Sequence, residues 1–244
     1  MNSDDLEIAK EMSKELVKQT LAPVQEIVRE LSGPAATEVG LMLGDTLRVW
    51  RLKRAVRYLQ DVKEVASKAG LRLKPVAPRL LFPILDSASL EDDEDLHQRW
   101  VALLTNAART DFDGEVLPSF PDILKQLTTA EAQFLDRAYD ENTLYAERRR
   151  AEIRANNPHL NVSDGLATAL GISGRIISSL PPVMLENLER LMLVTRTNVP
   201  LSLDDKIVNT IPPANHLYVS ELGKAFVRAC RTPRPSVPAA PLIG

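Results

Sequence analysis

Apolar residues recur at helical intervals from the start of the chain. Leu6, Met12, Leu16, Ile27 and Leu31 form one stripe with Lys and Glu between them, which predicts a long amphipathic helix over residues 1–31. Pro23 falls inside that pattern and should kink it. Ser32-Gly33-Pro34 ends it, because proline cannot continue the ladder and glycine tolerates the terminating geometry. A second helix is expected from about Ala35 to Ala69, closed by Gly70; Leu43, Leu47, Trp50, Arg54 and Arg57 divide its surface into apolar and basic faces. Ser89 is the expected N-cap of a third helix through Leu96, Trp100, Leu103, Leu104 and Ala107. Residues 110–121 read as a loop, and a short helix from Asp122 to Leu127 leads to a domain boundary near Thr128.

Beyond that point the elements shorten. Thr128-Thr129-Ala130-Glu131 is a capping box ahead of Phe134, Leu135 and Ala138. Ser163 caps a short helix that Gly171 ends, and residues 166–173 look like the turn of a helix-turn-helix. Pro181-Pro182 opens a helix with Leu185, Leu188 and Leu191 on one face. Leu193-Val194-Thr195 and Leu217-Tyr218-Val219 are strand candidates, and Ser220 caps a last helix through Leu222, Phe226 and Cys230. Helix, strand, returning strand and closing helix make a winged-helix order. The expected fold is therefore mainly α, with an N-terminal helical domain and a C-terminal winged-helix-like domain. Its boundaries fall at 1–32 for the amphipathic helix, 33–127 for the helical domain, 128–230 for the winged-helix-like domain and 231–244 for a proline-rich disordered tail.

Charge changes this picture in one place. Between Arg48 and Arg79 ten basic residues face only Asp61 and Glu64, an excess of +8, in a chain whose net charge is −3 over 244 residues. Asp86, Glu91, Asp92, Asp93, Glu94 and Asp95 follow as a run of −6. Arg48, Arg51, Lys53, Arg54 and Arg57 are the expected basic interaction surface, and Asp92, Asp93 and Asp95 the acidic one. Adjacent in sequence and opposite in sign, the segments are expected to pack together, within one chain or across a subunit interface.

Candidate chemistry is sparse. The single cysteine, Cys230, excludes an internal disulfide and a multi-thiolate metal site, and its apolar helical face predicts burial. His97, His159 and His216 are too far apart for a local metal motif, and His97 reads as a surface residue among acids and Arg99. Trp50 and Trp100 read as core anchors, and Asp45 as the ion-pair partner of Arg48. Phosphate-loop, dinucleotide-loop, zinc-helix and nucleophile-elbow spacings do not occur. No cofactor, metal or catalytic set is expected. No run of apolar residues reaches membrane-spanning length and the first residues do not read as a secretory leader, so a cytoplasmic location is expected. DNA binding is the alternative: Arg148, Arg149, Arg150, Arg154 and Arg175 would touch phosphates. Against it, residues 128–230 carry eleven Lys plus Arg and twelve Asp plus Glu.

Several stretches together resemble the Abi-alpha (abortive infection alpha) family. They begin with Gly33-Pro34, Glu38-Val39-Gly40 and Gly44-Asp45-Thr46-Leu47-Arg48-Val49-Trp50-Arg51. The most specific block runs from Pro75 to Leu85, Ala88 to Glu91, then Leu96 and Trp100 to Ala107; Pro118-Ser119-Phe120 and Leu185 to Leu191 complete it. Val101 departs from an expected alanine, and Met192 stands where a glycine more often follows. The resemblance implies a role in bacterial anti-phage defence and supplies no catalytic residues. The expected function is thus a non-enzymatic interaction protein, acting through protein–protein or membrane contact. The partner would be a protein, a second copy or a phage component; the alternative is a DNA-binding winged-helix regulator.

Overall fold

The structure, a computed structural model, describes residues 25–33, 49–156, 180–197 and 216–233. Among these residues the protein is mainly helical, with eight helices and two short strands. In chain order they are α1 (Gln25–Ser32), α2 (Val49–Lys68), α3 (Pro78–Ala88), α4 (Glu94–Ala108) and α5 (Phe120–Leu124). They continue with α6 (Thr129–Asn156), α7 (Pro182–Arg190), β1 (Val194–Thr197), β2 (His216–Val219) and α8 (Glu221–Ala229). The expected helix over residues 1–24 with its Pro23 kink, the start of the second helix over 35–48, the Ser163 helix, the turn at 166–173 and the tail beyond 233 lie outside the described residues.

Two compact units divide the chain. One holds the described residues up to Gln126 together with those from Ala229 on, and the other runs from Leu127 to Arg228. In the first, α2 lies along α4. Ala55, Tyr58, Leu59, Val62 and Ala66 recur at three- and four-residue steps on α2 and are all buried. They meet α4, whose buried face carries Trp100, Val101, Leu103 and Leu104, while α3 contributes Leu80, Leu81, Ile84 and Leu85 and α1 adds Ile27 and Leu31. The chain returns to this core after α8. Asn106, itself buried, donates through Nδ2 to the carbonyls of Ala229 and Arg231 at 2.8 and 2.9 Å, and Cys230 and Pro233 are buried.

Helix ends follow local chemistry, with two departures from expectation. Gly70, at φ +64°, ends α2: its N–H donates to Ser67 and that of Leu71 to Ala66, the paired bonds of a Schellman turn. The third helix was expected to be capped by Ser89. Instead Ser89 Oγ donates to the carbonyl of Asp86 at the end of α3, and Asp93 caps α4, accepting from Leu96 N at 3.0 Å. Ser89 keeps a helical backbone (φ −68°, ψ −16°) as the C-cap of α3, so the cap falls to Asp93, whose backbone is extended (φ −78°, ψ 126°). The short helix falls at Phe120–Leu124 rather than 122–127, because buried Phe120 and Pro121 begin it.

In the second unit the Thr128–Glu131 capping box is formed reciprocally. Thr128 N and Oγ1 donate to Glu131 Oε2 at 2.7 and 2.8 Å, and Glu131 N donates back to Thr128 Oγ1. Glu131 Oε1 also accepts from Asn187 Nδ2 at 2.8 Å, tying α7 to α6. Asn142 Oδ1 accepts from Val219 N, tying β2 to the same helix. β1 and β2 pair antiparallel, with Val194 opposite Val219 and Thr197 opposite His216.

Two backbone positions in this unit are tightly specified. A Cβ on Gly223 would fall inside the Leu193 carbonyl oxygen and 2.9 Å from Val219 Cγ1, so only glycine lets α8 approach that turn. Met192 has φ +58° and makes the Schellman bonds that Gly70 makes: Met192 N to Glu189 O and Leu193 N to Leu188 O. A methionine holds the position where the family resemblance anticipates glycine, and its side chain is 60% exposed.

These observations set two opposite expectations for thermal melting. Gly223→Ala should destabilise the second unit by about 1–3 kcal/mol through overpacking against backbone. Met192→Gly should stabilise it by up to about 1 kcal/mol, because relief of left-handed strain exceeds the added freedom of the unfolded chain. A lower melting temperature for Met192→Gly would show that the methionine side chain contributes more than its backbone costs.

Candidate interaction surface

On α2, Arg54, Arg57 and Asp61 follow one another at helical steps along the flank of the buried Tyr58 stripe. The acidic connection from α3 into α4 lies opposite, and Arg54, Arg57, Ala88, Glu91, Asp92, Glu94 and His97 line a cleft between them. The cleft opens to solvent and is small, about 20 Å³, on the scale of ordered water.

Most polar groups here have structural duties. Glu91 Oε1 accepts from the backbone N–H groups of Asp92 and Asp93, and its Oε2 accepts from the indole of Trp100 at 3.3 Å. One carboxylate therefore shapes the approach to α4 and orients the largest buried side chain. Arg57 Nη2 donates to Glu94 Oε2 at 2.8 Å, and Gln98 Nε2 donates to Glu94 Oε1 at 3.0 Å. Those contacts, Gln98 first and Arg57 second, hold the Glu94 carboxyl below its ordinary value, and Glu94 raises the Arg57 guanidinium in return.

Deeper in the seam, His97 Nε2 and Asp61 Oδ2 are 2.7 Å apart, with Arg57 Nε 3.8 Å from the same carboxylate oxygen. His97 is 6% exposed, which corrects its reading as a surface residue. Acids flank it in sequence, but three- and four-residue steps place it with Trp100, Val101 and Leu104 on the buried face of α4. The ring meets Tyr58 edge to face at 6.0 Å between centroids. Tyr58 donates its hydroxyl to the carbonyl of Trp100 at 2.9 Å, and burial pushes its phenol well above the ordinary range.

The structure brings Arg54, Arg57 and Asp92 to one cleft and gives their neighbours other roles. Asp93 is the N-cap of α4, and Asp95 pairs with Arg99 one turn on at 3.2 Å. Lys53 is exposed on α2. Arg51 is described only as part of that helix, and Arg48, like Asp45, lies outside the described residues. Residues of the cleft and its seam that lie outside the two expected interaction surfaces are Asp61, Glu91, Glu94 and His97. The signal for them is the one-turn step from Arg57 to Asp61 on α2 and from Glu94 to His97 on α4. Arg148 is exposed on α6. Arg149, Arg150 and Arg154 are described only as parts of α6, and Arg175 lies outside the described residues. Among the described residues, no three His, Cys, Asp or Glu side chains are grouped to hold a metal ion. No helix among them is long and apolar enough to cross a membrane.

A family model described as abortive infection alpha matches residues 52–230, more than half of the chain. No curated protein and no solved structure gives a significant match.

The two layers of the seam should respond differently to substitution. His97→Ala, which leaves a partly buried Asp61 short of its partner, should cost about 1–3 kcal/mol in denaturant unfolding. Arg57→Glu should cost far less, lose its effect in high salt, and be rescued by Glu94→Arg. The Glu94 contribution is fully present above the ordinary glutamate value of 4.5 and is lost as pH falls through the lowered folded value. An Arg57→Glu penalty that survived high salt would overturn this division.

Proposed function

The chain belongs to the abortive infection alpha family, and we propose that it is a non-enzymatic interaction protein of bacterial anti-phage defence. The observation that carries the non-enzymatic part is the occupation of the mixed-charge cleft by its own chain. His97 is engaged with Asp61, and Glu91 accepts three N–H groups. A space of about 20 Å³ holds water rather than a substrate. Such a surface recognises rather than transforms. The complementary charges of α2 and α4 set orientation, and the exposed cations around them meet a partner.

In this reading the first unit senses or binds, and the second is a winged-helix-like module used for packing and protein contact. The antiparallel pairing of β1 with β2 between α7 and α8 supports that order. The protein acts in the cytoplasm, where contact with a protein or a membrane surface is the output.

The defining experiment is a phage panel on cells carrying the gene on a plasmid, against cells with an empty vector. Plaque formation should fall for at least one phage, with infected cells dying before progeny release. Unchanged plating across the panel would refute the defence role. A nuclease, nucleotidase or NAD-cleaving activity abolished by one substitution in pure protein would refute the non-enzymatic part.

A further inference from the structure

From Lys68 to Leu81 the chain carries Lys68, Arg72, Lys74 and Arg79 and no acid, amide, hydroxyl or aromatic side chain. Gly70 turns the chain out of α2, and the connection to α3 is fastened to the core on its inward side. Buried Val76 donates its N–H to Leu31 O at 2.7 Å. Leu73 bridges antiparallel to Arg109, through Lys74 N to Ala108 O at 2.6 Å and Thr110 N to Arg72 O at 3.1 Å. Side chains alternate along such an extended stretch, so Arg72 and Lys74 share the side opposite half-buried Leu73. Pro75, Ala77, Pro78 and Arg79 follow, all exposed.

Three of these cations have no structural return. Arg72, Lys74 and Arg79 are exposed, and no side-chain hydrogen bond or ion pair among the described residues engages them. Lys68, by contrast, pairs with Glu64 one turn back. Asp111, two residues past the bridged Arg109, is held by that arginine through bonds of 2.9 and 3.0 Å. Arg72 and Lys74 repel each other across a two-residue step of about 7 Å. Arg79 stands in the first turn of α3, where the helix dipole favours acids and opposes a cation, and that turn holds no acid. Charge set against local preference, with no partner within the fold, answers to something outside it.

We propose that the α2–α3 connection is a docking face for an anionic bilayer surface. A bilayer presents a continuous plane of anionic headgroups, and each Lys or Arg near it gains from the negative surface potential without needing a shaped pocket. Duplex DNA fits less well, because the stretch from Lys68 to Leu81 has no amide or hydroxyl to reach sugars and base edges. A protein partner fits less well, because an interface centres on a large aromatic or aliphatic anchor, and the exposed residues between these cations are proline and alanine. With no large apolar side chain to insert, the contact is peripheral, electrostatic and reversible. The inference rests on the reading of the chain as an interaction protein and names the surface it meets.

The test sediments the full chain with vesicles of phosphatidylcholine alone and of phosphatidylcholine mixed with phosphatidylserine. Binding to the anionic vesicles alone is expected, falling steeply as salt rises. Arg72→Ala, Lys74→Ala and Arg79→Ala should each weaken it about fivefold, and the triple variant about a hundredfold. Lys53→Ala, an exposed cation on α2 away from the connection, should change it less than about twofold. Arg79→Glu should weaken binding yet raise the melting temperature by roughly a degree or more, since an acid suits that turn. Thermal melting checks each variant for folding, and the Arg72→Ala, Lys74→Ala double variant replaces the triple one if that unfolds. No binding by the wild-type chain at low salt, equal binding to both vesicles, or losses no larger than that of Lys53→Ala overturn the inference. A lower melting temperature for Arg79→Glu would give Arg79 a structural duty and overturn the argument from charge. Salt-sensitive capture of duplex DNA without vesicle binding overturns the inference as well. Phage protection measured in parallel separates the readings: a chain that protects without binding vesicles sinks this inference alone, and one that binds without protecting sinks the defence role alone.

Discussion

Tyr58 sits fully buried where α2 meets α4, and its hydroxyl has to find an acceptor there or forfeit its hydration without return. It finds the carbonyl of Trp100. That single requirement fixes how far α2 can slide along α4. The contacts of Arg57 with Glu94 and of Asp61 with His97 then advance together by about one turn on each helix. Apolar side chains alone tolerate small slips of register, whereas a buried donor with one reachable acceptor does not. The stripe from Ala55 to Ala66 supplies most of the driving force, and the polar seam selects which of several packings forms.

Glu91 extends this logic outward. Its carboxylate ties the chain entering α4 to the Trp100 indole, so the acidic approach and the apolar core are set by one side chain. The outermost pair, Arg57 and Glu94, is solvent-exposed on both sides and contributes orientation more than stability. The sign of charge therefore changes its meaning with depth. At the surface it orients two helices of the same chain, and at His97 and Asp61 it satisfies groups that packing has removed from water.

Local chemistry made much of the fold readable from residues alone. The Thr128 capping box, the glycine stop at Gly70, Pro182 at a helix start and Ser220 before α8 are each decided within a few residues, and so they can be read without the tertiary structure. Ser89 stands at the end of α3 rather than the start of α4, because α3 runs on to Ala88 and keeps Ser89 in a helical conformation, which a one-dimensional pattern does not reveal. His97 misled for a related reason. Sequence neighbours describe its solvent, but its burial is set by the face it shares with Trp100 and by Asp61, thirty-six residues away. The opposed charge runs were plain. Which acid meets which base was not, since that depends on the α2–α4 register that Tyr58 imposes.

Met192 and the Arg72–Arg79 segment show two ways in which exposed side chains relate to a rigid frame. At Met192 a left-handed backbone carries an apolar side chain into solvent, a local cost that the Schellman bonds and the buried Leu188 and Leu193 sustain. Between α2 and α3 nothing is strained. Proline narrows the backbone's choices before folding, and the N–H groups of Val76 and Lys74, donating to the carbonyls of Leu31 and Ala108, then hold the connection against the core. The connection therefore keeps little backbone freedom in the folded chain. The α2–α4 seam keeps that connection in place: α2 leads into the segment, and the end of α4 supplies the Ala108 carbonyl that accepts from Lys74. The same register that buries Tyr58 therefore also decides where the prolines stand.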